Sequence, residues 1–139
     1  VLPRDSMAKT ARKHRSRAAD RARLEYIIRH YVLECCAKET SARASELAQR
    51  LAANRTTLSR TVTDVLGRPL RAVMRDRQLE EAVRLLGTTT LSIDEIAARS
   101  AFGDRSTFFR AFRGRFGMGP HAYRSLKFRQ QNATVPRRR

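Results

Sequence analysis

Tryptophan is absent from the 139 residues, and six Phe with three Tyr bring the aromatic share to only 6%. Any core must therefore rest on Leu, Ile, Val, Ala and a few Phe rings, and it must be thin. Cysteine is nearly absent too: Cys35 and Cys36 are adjacent, with no CxxC spacing and no second pair. A disulfide framework and a zinc site are excluded on that pattern, and the two thiols read as reduced side chains packed in a helix. No apolar run approaches the roughly 18 residues of a membrane span, and no secretory leader is visible. The expectation is a soluble, cytoplasmic protein. Strand signals are missing, as are the groupings that do chemistry. There is no Ser/His/Asp arrangement, no carboxylate pair in an apolar pocket and no phosphate-cradling Gly loop. His14, His30 and His121 share no ligand spacing with one another or with the cysteines. No metal, no cofactor and no enzymatic activity are expected.

Acidic residues are scarce, 13 against 30 Lys and Arg, for a formal charge of +17. The excess is unevenly spread. Residues 1–23 carry eight Lys/Arg against two Asp, and residues 127–139 carry five with no acid. These ends hold +11, which leaves +6 for residues 24–126. Charge alone thus predicts cationic ends with nonspecific affinity for polyanions, and binding by the folded middle needs its own argument. The length suits one ordinary domain or two very small ones packed together.

Residues 1–22 show no apolar periodicity and are expected to be disordered or partly helical. The chain opens on Val1, and the six residues before Met7 fit either an appended segment or the cut edge of a longer protein. From Leu24 the spacing of Leu24, Ile27, Ile28, Tyr31 and Cys35 predicts an amphipathic helix to about Lys38. The chain also repeats itself. SELAQRLAANRTTLSRTVTDVLGRP (Ser45–Pro69) aligns with DEIAARSAFGDRSTFFRAFRGRFGMGP (Asp94–Pro120), Glu46-Leu47-Ala48 matching Glu95-Ile96-Ala97 at an offset of 49. One extra residue then raises the offset to 50, pairing Asn54 with Asp104, Leu58 with Phe108, Arg60 with Arg110, Val62 with Phe112 and Leu66-Gly67 with Phe116-Gly117. One unit occurs twice.

Each copy reads as a short helix, a tight turn and a second helix opened by Asn54 or Asp104, residues suited to accept bonds from orphan backbone N–H groups. Ser92 and Glu95 form a capping-box pattern, Gly67 and Gly117 suit helix C-caps, and Pro120 suits the first position of a last helix. Between the units, Leu70, Val73, Met74, Leu79, Ala82, Val83 and Leu86 mark one long connecting helix, with Glu80 and Glu81 expected to pair with Arg77 and Arg84 on its surface. The predicted organisation is a basic segment 1–22, a first subdomain 23–68, a connecting helix 69–87, a second subdomain 88–126 and a basic tail 127–139.

Two short helices around a compact turn form a helix-turn-helix, whose second helix fits the major groove of B-DNA. In the second copy Phe108, Ala111, Phe112 and Phe116 form an inward stripe, while Arg105, Ser106, Phe109 and Arg110 share an outward face. Arginines there reach guanine edges or phosphates, and Phe109 reaches a thymine methyl. The first copy buries Leu58 and Val62 and presents Thr56, Thr57, Ser59 and Arg60, a less charged reading face. Arg55, Thr57, Thr107, Arg113 and His121 are the candidate phosphate contacts.

The second copy and its flanks resemble the AraC/XylS family of bacterial transcription regulators. The resemblance rests on Ile96, Ala97, Phe102, Asp104, Ser106, Phe108, Arg110, Phe112, Phe116, Gly117, Pro120, Tyr123 and Arg124 at the family's spacing, on LEEAVRLL (Leu79–Leu86), and in all on about Leu24–Arg124. It implies an all-α domain of about seven helices, with two helix-turn-helix subdomains joined by a long central helix that sets two recognition helices into successive major-groove segments of double-stranded DNA. By position, the base-facing residues would be Thr56, Ser59, Arg60, Arg105, Ser106, Phe109 and Arg110. It also implies RNA polymerase as a partner, a role as activator and a place at the nucleoid, with this segment a monomer. Three positions depart from the family pattern. Ala101 replaces a usual Gly, which predicts a less tightly bent turn; Gln78 replaces a usual Arg, which removes an ion pair; and Val62 replaces a common aromatic, which predicts looser packing in the first unit. Two rival readings are a nonspecific architectural protein that coats nucleic acid with its basic ends, and a DNA-targeting module cut from a larger ligand-sensing regulator.

Overall fold

The computed structural model describes residues 4–133. Of the basic tail expected over residues 127–139, residues 127–133 continue the last helix, and residues 134–139 lie outside the described residues with the first three. Among those described there are seven helices and no strand: α1 Arg4–Lys38, α2 Ala44–Arg50, α3 Arg55–Leu66, α4 Leu70–Thr88, α5 Ile93–Arg99, α6 Arg105–Phe116 and α7 Pro120–Ala133. The all-α expectation holds. No helix of the described residues is long and apolar enough to cross a membrane, and none of their His, Cys, Asp and Glu side chains gather in a group of three or more that could hold a metal.

Helix α1 starts twenty residues before the apolar pattern at Leu24. Its first half makes no core, since residues 6–23 are all exposed. Composition explains the helix there: Arg4–Lys38 contains neither Gly nor Pro and is rich in Ala, Arg and Lys, which lose little on entering a helix. Periodicity reports burial, so a helix held by propensity escapes it.

The chain forms two compact units. One joins residues up to Tyr31 with Arg43–Val73, and the other joins Val32–Ala42 with the residues from Met74 onward. In the first, α2 opens at Arg43, whose backbone is extended and whose side chain makes no cap. The Tyr31 hydroxyl of α1 instead holds the N-cap residue's own N–H and the third residue of the helix. It accepts the Arg43 N–H at 3.1 Å and lies 3.0 Å from the Glu46 carboxylate as its donor, and the Arg50 guanidinium covers the Tyr31 ring 5.1 Å from its centre. Beneath α3, Leu58, Val62 and Leu66 are buried, and Val62 is 0% exposed.

The second unit is built on rings. Phe108 and Phe112, both 0% exposed, lie 5.7 Å apart edge to face; Phe102 packs 5.2 Å from Phe108, and Tyr123 packs 5.3 Å from Phe112. Phe116 is half-buried against the same cluster. Leu79, Ala82, Leu85 and Leu86 supply the α4 side of that core. Arg124 closes it from α7, its guanidinium donating to the carbonyls of Leu86, Thr89 and Leu91 at 3.3, 3.4 and 2.7 Å. The orphan carbonyls at the end of α4 and in the following loop are thereby satisfied by one planar fork. The expected pairs Arg77–Glu80 and Arg84–Glu81 are present on α4 at 3.1 and 2.5 Å.

Candidate nucleic-acid interface

The duplication seen in the sequence is a duplication of backbone. Ala52 and Ala101, 49 residues apart, both take the left-handed conformation, with φ of 50° and 63°. The next N–H returns to the preceding helix in each copy, Ala53 to Ala48 O at 2.9 Å and Phe102 to Ala97 O at 3.1 Å. The turn that Ala101 was expected to relax is therefore kept, and the alanine carries the conformation a glycine would adopt without strain. Gln78 is part of the reason. Its buried amide donates to Ala101 O at 2.7 Å, and the Ala42 N–H reaches the same oxygen at 3.0 Å. The residue expected to cost an ion pair thus anchors the turn. The extra residue of the second copy is Gly103, at φ 83°, packed so that a Cβ there would collide with the Ser41 hydroxyl.

Both second helices open as the sequence indicates. Asn54 Oδ1 accepts the Thr56 N–H at 2.8 Å, and Asp104 Oδ1 accepts the Thr107 N–H at 2.7 Å. The Thr107 hydroxyl also donates to Asp104 Oδ2 at 2.9 Å. The Thr107 amide and hydroxyl, with the Ser106 amide and the Arg110 charge, hold the Asp104 carboxyl below the usual carboxylate range. Gly67 and Gly117 end the two helices at φ 71° each, their N–H groups bonding Thr63 O and Arg113 O.

On α3, Arg55, Thr56, Thr57 and Arg60 are exposed and Ser59 is half-buried, opposite the buried Leu58 and Val62. The hydroxyls of Thr61 and Thr63 fold back onto Thr57 O and Ser59 O, each at 2.9 Å. On α6, Arg105, Ser106, Arg110 and Arg113 are exposed. Arg105 is engaged twice, 3.5 Å from the Asp94 carboxylate and 5.0 Å over the Phe109 ring. The ion pair is exposed, and both contacts are weak enough to yield to a phosphate. Phe109 is half-buried: its ring meets Phe108 edge-on and lies 6.4 Å from His121, which is exposed at the start of α7. Among the described residues no close ion pair occupies Arg60, Arg110 or Arg113. Thr107 is half-buried and its hydroxyl proton serves the cap, so it would have to break that bond to donate to phosphate.

Each unit thus carries a capped, twelve-residue helix with an apolar face buried and an arginine-bearing polar face open, after a left-handed alanine turn. The helix-turn-helix domain family matches residues 47–125 of this chain, more than half its length. The chain belongs to the AraC/XylS family. The AraC/XylS domain is 30% identical over 79 residues to the transcriptional activator AarP of Providencia stuartii, an alignment covering 57% of this chain and 58% of AarP. It spans less than two thirds of that relative. Its fold matches the C-terminal domain of AraT, a response regulator from Geobacillus stearothermophilus, at 27% identity and a TM-score of 0.63, covering 79% of this chain and 84% of that one. It also matches the DNA-binding domain of AdpA, a global transcriptional factor solved in complex with a target DNA, at 25% identity and a TM-score of 0.64, covering 78% of this chain and 97% of that one.

Proposed function

We propose that the protein binds double-stranded DNA sequence-specifically and regulates transcription, with α3 and α6 as its reading helices in successive major-groove segments. The observation that carries this reading is the repeated constellation of a left-handed turn, an N-capped helix and an exposed arginine at the same register, Arg60 and Arg110, above a buried Leu58/Val62 or Phe108/Phe112 pair. Cap and core fix the helix; the arginine is left for the ligand. Thr56, Ser59, Arg60, Arg105, Ser106, Phe109 and Arg110 face base edges, while Arg55, Thr57, Arg113 and His121 meet phosphates, joined by Thr107 if its cap bond opens. Phosphate contacts supply affinity through counterion release, and base edges supply choice. The name of AarP favours activation, which requires contact with RNA polymerase, and such a protein works at the nucleoid in the cytoplasm, here as a monomer.

Selection of bound sites from random duplexes at fixed salt tests the reading. A defined motif in two segments about one helical turn apart is expected. Arg110→Ala should cost about 1–3 kcal/mol and relax preference at one base pair if its contact is a bidentate one to guanine. Equal binding to all duplexes by the unaltered protein would instead favour the architectural reading.

A further inference from the structure

The exposed half of α1 belongs to neither reading helix, yet it holds the densest charge of the described chain. Between residues 6 and 23 there are seven Lys and Arg against a single acid, Asp20, all exposed. At about 100° per residue, six of the seven cations, Lys9, Arg12, Lys13, Arg17, Arg21 and Arg23, occupy one half of the helix circumference, with Asp20 among them. Ala8, Ala11, Ala18 and Ala22 lie on the other, with Arg15 between them.

Within the cationic half, Lys9, Lys13, Arg17 and Arg21 follow one another at i, i+4, a ridge of like charges that destabilises a helix standing alone. Only its last member is matched among the described residues, Arg21 to Glu25 at 3.3 Å. The ridge climbs roughly 18 Å at 1.5 Å per residue, which is the axial rise of about five phosphates of one DNA strand. A basic amphipathic helix of this kind also suits an anionic bilayer, but that requires a large apolar face. Here the opposite face is alanine interrupted by Arg15, with Met7 its one large exposed apolar side chain. That face is too small and too polar to anchor in lipid.

We infer that the Lys9–Arg21 ridge of α1 is a second DNA-binding surface, a cationic strut that grips the phosphate backbone of the duplex beside the segment read by α3. The inference rests on the DNA-binding reading above. It assigns the ridge affinity and no base preference, and it places the ridge in the unit that carries α3.

The experiment compares the full chain with a Lys9→Gln/Lys13→Gln/Arg17→Gln/Arg21→Gln variant, which keeps good helix formers, and with a four-residue control that exchanges Lys and Arg at the same positions. Affinity is measured against salt on a selected duplex, on scrambled duplexes and on duplexes extended at one end. If two to four of these side chains meet phosphates, the Gln variant's log–log salt slope is shallower by about 2 to 3.6. Its affinity then falls equally on selected and scrambled DNA, it no longer gains from the extended duplex, and the charge-retaining control behaves as the unaltered protein. A slope within one unit of the unaltered protein, with the extension effect intact, overturns the strut. Loss of binding to vesicles containing phosphatidylserine, with DNA binding unchanged, overturns it in favour of a membrane partner. Arg110→Ala separates the two readings: it relaxes preference at one base pair and keeps the steep slope if the recognition helices read DNA. If it changes nothing, the proposed function fails independently of the strut.

Discussion

Two alanines hold left-handed backbone at equivalent turns, but only one is buried. That contrast makes a quantitative test of what the turn costs. An L-residue in this conformation is disfavoured by about 1–2 kcal/mol, whereas glycine there is unstrained but loses an extra 0.5–1 kcal/mol or so of chain entropy on folding. Ala52 is exposed at φ 50°, so Ala52→Gly surrenders no packing and should stabilise the protein by about 0.5–1 kcal/mol. Ala101 sits at φ 63° with only 1% of its surface exposed. Removing its methyl forfeits about 0.8 kcal/mol of burial and leaves a small void, so Ala101→Gly should come out neutral or slightly destabilising. Urea titrations followed by far-UV circular dichroism would resolve the two, provided the slope is unchanged. In thermal melts the Ala52→Gly shift should be roughly 2–4 °C upward. If Ala52→Gly destabilises, left-handed strain is not stored at the turn. If Ala101→Gly stabilises as much as Ala52→Gly, the buried methyl contributes nothing, and the contrast fails.

Three further outcomes are expected. Because the Asp104 carboxyl is held below its ordinary value in the folded state, its contribution is complete above an unfolded pKa of about 3.9 and lost as pH falls through the lower folded value. Asp104→Asn, which keeps a capping oxygen, should therefore flatten the acid limb of a melting-temperature profile, and an unaltered limb would remove Asp104 from it. Arg124→Lys, unable to span three carbonyls with one ammonium, should destabilise by about 1.5–3 kcal/mol, and full stability in urea would show that water replaces the fork. The Cys36 thiol is pushed up to about 12, first by burial and then by the nearby Glu81 and Cys35. It should resist a maleimide at pH 8 in the folded protein and react at once in denaturant, and labelling of native protein at the rate of free cysteine would contradict the packing around it.

The second helix of each unit was legible because its signals are local: Asn54 and Asp104 before an apolar stripe, Gly67 and Gly117 after it, and the same register twice. The exposed face followed as the complement of the buried one, although the half-burial of Phe109 and the Asp94 contact of Arg105 could not follow, since both depend on partners from other helices. The turn was harder. Ala is not a residue that announces positive φ, and at Ala101 the conformation is backed by Gln78 and Ala42 from distant positions in the chain. Tyr31 was legible as core, but its hydroxyl serves a helix start twelve residues away, a role that spacing does not encode. The first half of α1 was hidden for the opposite reason: it packs on nothing, and periodicity is blind to it.

The reach of Arg124 back to Leu86, Thr89 and Leu91 has a consequence for synthesis on the ribosome. Thirty-three to thirty-eight residues separate the guanidinium from the carbonyls it serves. The emerging chain completes α4, α5 and α6 before the clasp exists, and those carbonyls depend on water until α7 leaves the exit tunnel. The second unit thus locks only when its final helix has been translated.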